Sequence, residues 1–228
     1  MRGIQDAYKT VQWFKHISDI NLNSEILVVG AGGIGSNLAF QLGRIGFNFT
    51  IYDADRVEAH NMSQMFNTND VNKLKVTALQ KTLQTYNPSV QVNSVSSMWE
   101  SINGTSGIVF SCVDNMKTRR DLFHEWYNTF ADKSNTVFID ARLNSEDFRI
   151  FTIYANNIKD VEDYKRNWLF NDKEASEPLC TNKQTPHIGT LCGCLMVGIF
   201  TNWLCRNDDL YRKVQFRTDF HLPLLNLS

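Results

Sequence analysis

The segment Gly30-Ala31-Gly32-Gly33-Ile34-Gly35-Ser36 places four glycines in seven residues. Without a Cβ the backbone turns tightly and lets a phosphate approach. A helix that starts at such a turn offers its unpaired N–H groups and the positive end of its dipole to an anion. Eighteen residues after Gly35 stands Asp53, where a carboxylate accepts both hydroxyl protons of a ribose. Loop and acid together describe a nucleotide site, and by themselves they suit a nicotinamide dehydrogenase as well. The next segment separates the possibilities: Asp53-Ala54-Asp55-Arg56-Val57-Glu58-Ala59-His60-Asn61 leads to Asp70-Val71-Asn72-Lys73-Leu74-Lys75. Hydride transfer has no use for a lysine at this place. The extra phosphates of a nucleoside triphosphate do, because the Lys75 ammonium neutralises negative charge as it shifts between reacting groups. Further on, Cys112-Val113-Asp114-Asn115, with Arg119 a helical turn later, supplies in Asp114 a carboxylate suited to holding Mg2+ between phosphate oxygens.

These residues act together only if the chain brings them to one crevice. Glu25–Gly30 is a short, branched apolar run, as expected of a strand buried on both faces. A helix over Gly33–Ile45 closed by Gly46 follows, then a strand at Phe49–Asp53, a helix at Asn72–Tyr86 and a strand at Val90–Val95. The alternation continues with a strand at Gly107–Asp114, a helix at Met116–Phe130 and a strand at Thr136–Asp140. The fold class this implies is α/β: a Rossmann-like, doubly wound, mostly parallel sheet with helices on both faces. In such sheets ligands collect beyond the strand C-termini, where Asp53 and Asp114 both fall. The later chain departs from the alternation, with a strand at Phe148–Tyr154, a helix at Ile158–Leu169, a helix at His187–Cys205 and a strand-like Lys213–Leu224, so extra strands are expected at the C-terminal end. Phe170–Pro186 is a polar crossover loop long enough to suggest function. The first 20 or so residues read as an amphipathic helical extension around Trp13, Phe14 and Ile17, broken at Asn21–Ser24.

Composition narrows the class. In 228 residues, 23 basic side chains meet 24 acidic ones for a net charge of −1, which argues against a nucleic-acid or anionic-membrane binder. With 43% hydrophobic residues, a single domain of this size buries roughly 70% of its unfolded surface. Met1–Lys15 lacks the apolar run of a signal peptide, and Ile188–Leu204 is interrupted too often for a convincing membrane span, so a cytoplasmic location is expected. The cysteines at 112, 180, 192, 194 and 205 are odd in number, contain no C-x-x-C pair, and fit reduced thiols without a zinc site.

Four blocks, G-A-G-G-I-G-S, D-A-D-R-V-E-x-x-N, V-N-K-L-K-V and C-V-D-N-x-x-x-R, run in order from Gly30 to Arg119. Through them the chain resembles the ThiF/MoeB/ubiquitin-activating adenylyltransferase family, strongly over its first half and in outline beyond. The resemblance implies that the glycine loop (Gly30, Gly32, Gly33, Gly35) and Asp53 bind ATP, that Asn61 and Lys75 contact phosphates, and that Asp114 serves Mg2+–ATP chemistry. Asp55, Gln64 and Asn115 complete the nucleotide-binding set. It also implies the reaction, ATP-dependent activation of a C-terminal carboxylate, in the family commonly the diglycine tail of a small ubiquitin-like or sulfur-carrier protein, and a homodimeric assembly.

Two departures stand out. The Arg-Gln pair that the family places three and four residues past its Asn is here Gln64 and Met65, so a phosphate-directed cation is missing, with Arg56, Lys73 or Lys15 as substitutes. The stretch from Asn61 to Lys75 is also two residues shorter than the family spacing. Cys180, before Thr181 in the crossover loop and near Lys183, matches the position at which ubiquitin-activating relatives form a thioester. Lys183 and a helix N-terminus near His187 would favour its thiolate, and a loop or core cysteine is the competing reading. Cys112, Cys192 and Cys194 read as small buried hydrophobes. Arg142, in Asp140-Ala141-Arg142, has two readings, contact with the incoming tail or a structural salt bridge. The tryptophans read as core or dimer surface. Competing functions are a nicotinamide or flavin oxidoreductase, which leaves Lys75 and Asp114 without a task, and a non-catalytic relative that holds a partner's tail, which the Gln64/Met65 departure favours.

Overall fold

The structure, a computed structural model, describes residues 25–102, 104–105, 107–144, 146–170, 185–204 and 215–221. Strand β1 (Ile26–Val29) is buried at every residue, and its alternating side chains feed two cores. Ile26 and Val28 join the apolar cluster on one face, Leu27 and Val29 the cluster on the other. The same parity runs through β4 (Ile108–Ser111), β5 (Val137–Leu143) and β6 (Asp147–Tyr154): Phe110, Ile139 and Ile150 take the first face, Val109, Phe138 and Phe151 the second. With β2 (Phe49–Tyr52), β3 (Val92–Val95) and β7 (Arg217–His221) the sheet order is β3-β2-β1-β4-β5-β6-β7. The first five strands are parallel; β6 and β7 are the extra C-terminal strands that the break in alternation predicts, and both pair antiparallel.

Helices α1 (Gly33–Ile45), α2 (Lys75–Tyr86) and α5 (Pro186–Leu204) cover the first face, α3 (Met116–Phe130) and α4 (Ile158–Asn167) the second. α1 ends as expected at Gly46, whose left-handed φ of 105° lets its N–H reach the carbonyls of Leu42 and Gly43. α2 starts three residues later than its periodicity suggests. Asn72 adopts φ 70°, and backbone bonds from Asn72 to Val57 and from Val57 to Lys73 commit this stretch to a ribbon. Two 3-10 turns, Ala59–Ser63 and Thr68–Asp70, fill the connection and were not legible from periodicity. β5 extends to Leu143 because antiparallel β6 pairs with it as far as Leu143 opposite Phe148.

α5 begins at Pro186, a residue suited to the first helical turn because its missing N–H needs no partner there. By length and composition alone it could cross a membrane, and half of its most apolar window is buried within the fold. Cys192 is buried as expected, whereas Cys194 is exposed. Trp126 and Trp203 are core residues, and Trp99 and Trp168 pack at its margin. Trp13 and Cys205 lie outside the described residues.

Candidate functional site

A cavity of about 680 Å³ opens beyond the C-terminal ends of β1, β2, β4 and β5, the place where parallel sheets of this kind collect ligands. Its floor is the turn after β1. Gly30 has φ 97°, and a Cβ there would sit 2.5 Å from the Cys112 carbonyl oxygen. Gly35 does not line the cavity: a Cβ on it would lie 1.8 Å from the Gly30 carbonyl oxygen, so its part is close packing behind the loop. Gly32 faces open space. No side chain caps α1 and none of its first-turn residues is acidic, which leaves the helix N-terminus to an anion.

Asp53 is fixed by that loop. One carboxylate oxygen accepts from the Ala31 N–H at 2.7 Å and the other from the Asp55 N–H at 2.8 Å, leaving each with lone-pair capacity for a ribose hydroxyl. Lys75, the first residue of α2, is 7% exposed. Its ammonium lies 2.8 Å from the Asp55 carboxylate, which is itself 70% exposed. Asn61 is buried, with its side-chain oxygen accepting from the Glu58 N–H. Gln64 Oε1 is buried without a hydrogen-bond partner among the described residues, at the cavity wall. Asp114 lines the cavity from beyond β4, exposed, with the Asn115 side-chain amide 3.3 Å away. Asn115 also lines it, and its carbonyl oxygen caps α3 by accepting from the Thr118 N–H.

The uncapped turn, the open space at Gly32 and the buried ammonium fit the phosphates of a nucleotide, and the unpartnered Gln64 oxygen, an acceptor, suits a ribose hydroxyl or a base amino group rather than a phosphate. Among the described residues no three His, Cys, Asp or Glu side chains gather as a metal site. Asp114 alone is nevertheless the kind of ligand Mg2+ takes, since that ion keeps several waters and binds through one or two carboxylates plus phosphates.

Other expectations fare differently. Arg119 donates to Asp140 at 2.7 Å and to the Val113 carbonyl, and is buried. Arg56 donates to the Asn72 carbonyl and Lys73 pairs with Asp70. Neither lines the cavity, so neither replaces the missing cation. Cys112, expected to be buried, is half-buried and lines the cavity, where desolvation and the nearby Asp140 carboxylate push its thiol up and disfavour the thiolate. Cys180, Lys183 and Lys15 lie outside the described residues. Sequence reasoning missed Ser97, Met98 and Trp99, which line the cavity beyond β3, and Phe170. The strand-end rule that flags Asp53 would have flagged the first three.

The chain matches the ThiF family over residues 17–221. It belongs to that family. Relatives of this ThiF-family chain include the ubiquitin-like modifier-activating enzyme 5 of Aedes aegypti, 38% identical over 113 residues (41% of this chain, 28% of the relative). The sulfur carrier protein ThiS adenylyltransferase of Escherichia coli is 28% identical over 128 residues (53% and 49%). The tRNA threonylcarbamoyladenosine dehydratase 2 of Saccharomyces cerevisiae is 30% identical over 117 residues (46% and 26%). The chain thus spans about a quarter to a half of the length of these ThiF-family relatives. Among solved structures, E. coli MccB with ATP superposes with a TM-score of 0.64 at 16% identity, covering 88% of this chain and 61% of that one. PaaA superposes at 0.62 and 17%, covering 89% and 62%.

Proposed function

We propose that the protein is an ATP-dependent adenylyltransferase that activates the C-terminal carboxylate of a small ubiquitin-like or sulfur-carrier protein or peptide. The observation that carries this reading is that one cavity is lined by the uncapped glycine turn, Asp53, the Lys75 ammonium and the Asp114 carboxylate. A carboxylate oxygen attacks the α-phosphorus of ATP, the bond to the bridging oxygen breaks, and pyrophosphate leaves with its electron pair. No side-chain base is needed, because the attacking carboxylate is ionised at neutral pH. Lys75 neutralises charge on the phosphates, and the α1 N-terminus holds them in place. Mg2+, held at Asp114, would supply charge neutralisation between phosphate oxygens. The named activity of the ThiS adenylyltransferase relative supports the same reaction class.

Pyrophosphate–ATP exchange with candidate carrier tails tests the reading. Lys75→Ala and Asp114→Ala should each lower exchange by about 10²–10³, the usual loss for a group that stabilises transition-state charge. Exchange that persists in both, or calorimetry that detects NADH binding and no Mg2+–ATP, would overturn it. A thioester step at Cys180 belongs to the same proposal: its thiolate would attack the tail adenylate carbonyl and release AMP, and the tail adduct, cleaved by excess thiol or hydroxylamine, should form in the unmodified chain and vanish in Cys180→Ala. So do a homodimer, checked by sedimentation, and a cytoplasmic location. A second reading, a non-catalytic binder of ATP and a tail, is favoured by the Lys75–Asp55 pair and the uncharged Gln64. It expects Mg2+–ATP binding without exchange.

A further inference from the structure

Past Asp114 the cavity runs on to the end of β5, where a cluster of charges does not balance. Asp140 is fully buried between two guanidiniums, with Arg119 Nε 2.7 Å from one carboxylate oxygen and Arg142 Nε 3.0 Å from the other. The Tyr164 hydroxyl donates to the second oxygen at 2.8 Å and adds no charge. Among the described residues no further carboxylate pairs with either guanidinium. One negative charge against two positive leaves an excess of one.

The excess falls on Arg142. Arg119 is 5% exposed and committed to Asp140, to the Val113 carbonyl and to the Met116 sulfur. Both arginines line the cavity, but in Arg142 only Nε and Nη2 are used, by Asp140, the Trp168 carbonyl and the Tyr164 hydroxyl. Its Nη1 has no partner among the described residues. The guanidinium carbon lies 4.9 Å from the Phe151 ring centre and 5.8 Å from that of Phe170, so aromatic faces hold its plane. A guanidinium that lines a cavity, with its other donors fixed and one donor nitrogen unpartnered among the described residues, is preorganised for an oxyanion.

Position selects which oxyanion. Asp53 and Lys75 stand on the β2 side of the glycine turn. Arg142 lies beyond β4, two strand spacings or about 10 Å from β1 along the sheet. The acid that attacks the α-phosphorus must approach from the side opposite the leaving pyrophosphate. We infer that Arg142 is a positioning residue whose open Nη1 edge receives the carboxylate to be activated and holds it for attack. This rests on the adenylyltransferase reading of the same cavity.

The test uses a ten-residue peptide ending in Gly-Gly, as free acid and as C-terminal amide, titrated calorimetrically into the full chain with Mg2+ and a non-hydrolysable ATP analogue. The free acid should bind about tenfold or more tighter than the amide, the size of one charged hydrogen bond. In Arg142→Ala that ratio should fall to within twofold of unity, with affinity for the analogue unchanged. Arg142→Lys should keep part of the ratio, since the charge stays and the fork is lost. In pyrophosphate exchange the peptide KM should rise while kcat at saturation holds. Acetate as competitor distinguishes a small free acid from a chain terminus: competition below the peptide's own affinity supports the terminus. An unmodified chain that binds the ATP analogue yet does not discriminate acid from amide overturns the inference. So does a variant that loses analogue affinity instead, which would make Arg142 a phosphate ligand. An unmodified chain that does not bind the analogue overturns the adenylyltransferase reading itself.

Discussion

Asp140 shows how much a single side chain can hold in this molecule. Burial alone would push its carboxyl up, yet Arg119 and Arg142 bring it below the ordinary carboxylate range. A folded-state value below the unfolded one means that the unfolded chain binds the proton more tightly. The stabilisation is therefore complete above about pH 4 and lost as pH falls through the depressed folded value. Asp140→Asn should cost about 3–5 kcal/mol at neutral pH, because it leaves the Arg119 guanidinium buried and uncompensated. Urea titrations should show that loss at pH 7 and a flatter dependence below pH 4 than the unmodified chain; equal slopes would remove Asp140 as the acid-sensitive group. At this scale the sequence is readable where residue types are chemically committed. Asp53, Lys75 and Asp114 have few other reasons to follow parallel strands, and all three line the cavity. It misleads where one residue type serves two purposes. Asn115 at a helix start suits both a cap and a ligand; its carbonyl caps α3 while the residue also lines the cavity. Trp99, read as core or dimer surface, packs at the core margin and also lines the cavity, its Nε1 without a hydrogen-bond partner among the described residues.

Among the elements, the contact of α5 with α1 governs the shape of the nucleotide turn. A Cβ on Gly189 would sit 2.7 Å from the Gly33 carbonyl oxygen, and one on Gly193 2.7 Å from the Leu38 backbone nitrogen. Both obstacles are backbone, so neither can rotate away. Thr190 adds a hydrogen bond to the Asn37 side chain at 3.0 Å. Gly198, on the exposed side of the same helix, meets nothing within 4 Å. Gly189→Ala and Gly193→Ala should each destabilise by about 1–3 kcal/mol, the usual cost of overpacking. Gly198→Ala should stabilise by up to about 1 kcal/mol through helix propensity. Thermal unfolding reads all three, and calorimetry should find that Gly189→Ala also weakens ATP binding, since Gly33 opens α1 at the cavity floor. Equal midpoints for the three variants would show that helix propensity and not close contact sets their effect. α1 and α3 were legible to the residue because apolar period and end signals agree there. α2 and the two 3-10 turns were not, because a left-handed Asn72 and backbone pairing with Val57 decide the local path, and neither leaves a periodic trace.

In the molecule as a whole, stability and function meet at the centre of the sheet. β1 and β4 are buried at every residue, whereas the edge strand β7 alternates between exposed and half-buried positions and β3 has only its first residue buried. Backbone amides of β1 and β4 should therefore exchange with solvent only on global unfolding, and those of β7 through local opening. The cavity rests on the turns that leave these two central strands, so a bound nucleotide is linked to the unfolding of the entire sheet. Mg2+–ATP at a hundredfold excess over its Kd should stabilise the chain by about 2.7 kcal/mol. For a chain of this size that raises the thermal midpoint by roughly 5–10 °C. Hydrogen exchange should slow in β1, the α1 N-terminus and the start of α3, with β7 unchanged, and NADH should produce neither effect. Protection by NADH alone would assign the glycine turn to a dinucleotide. Protection confined to β7 would move the nucleotide away from the central strands and take Lys75 and Asp114 with it.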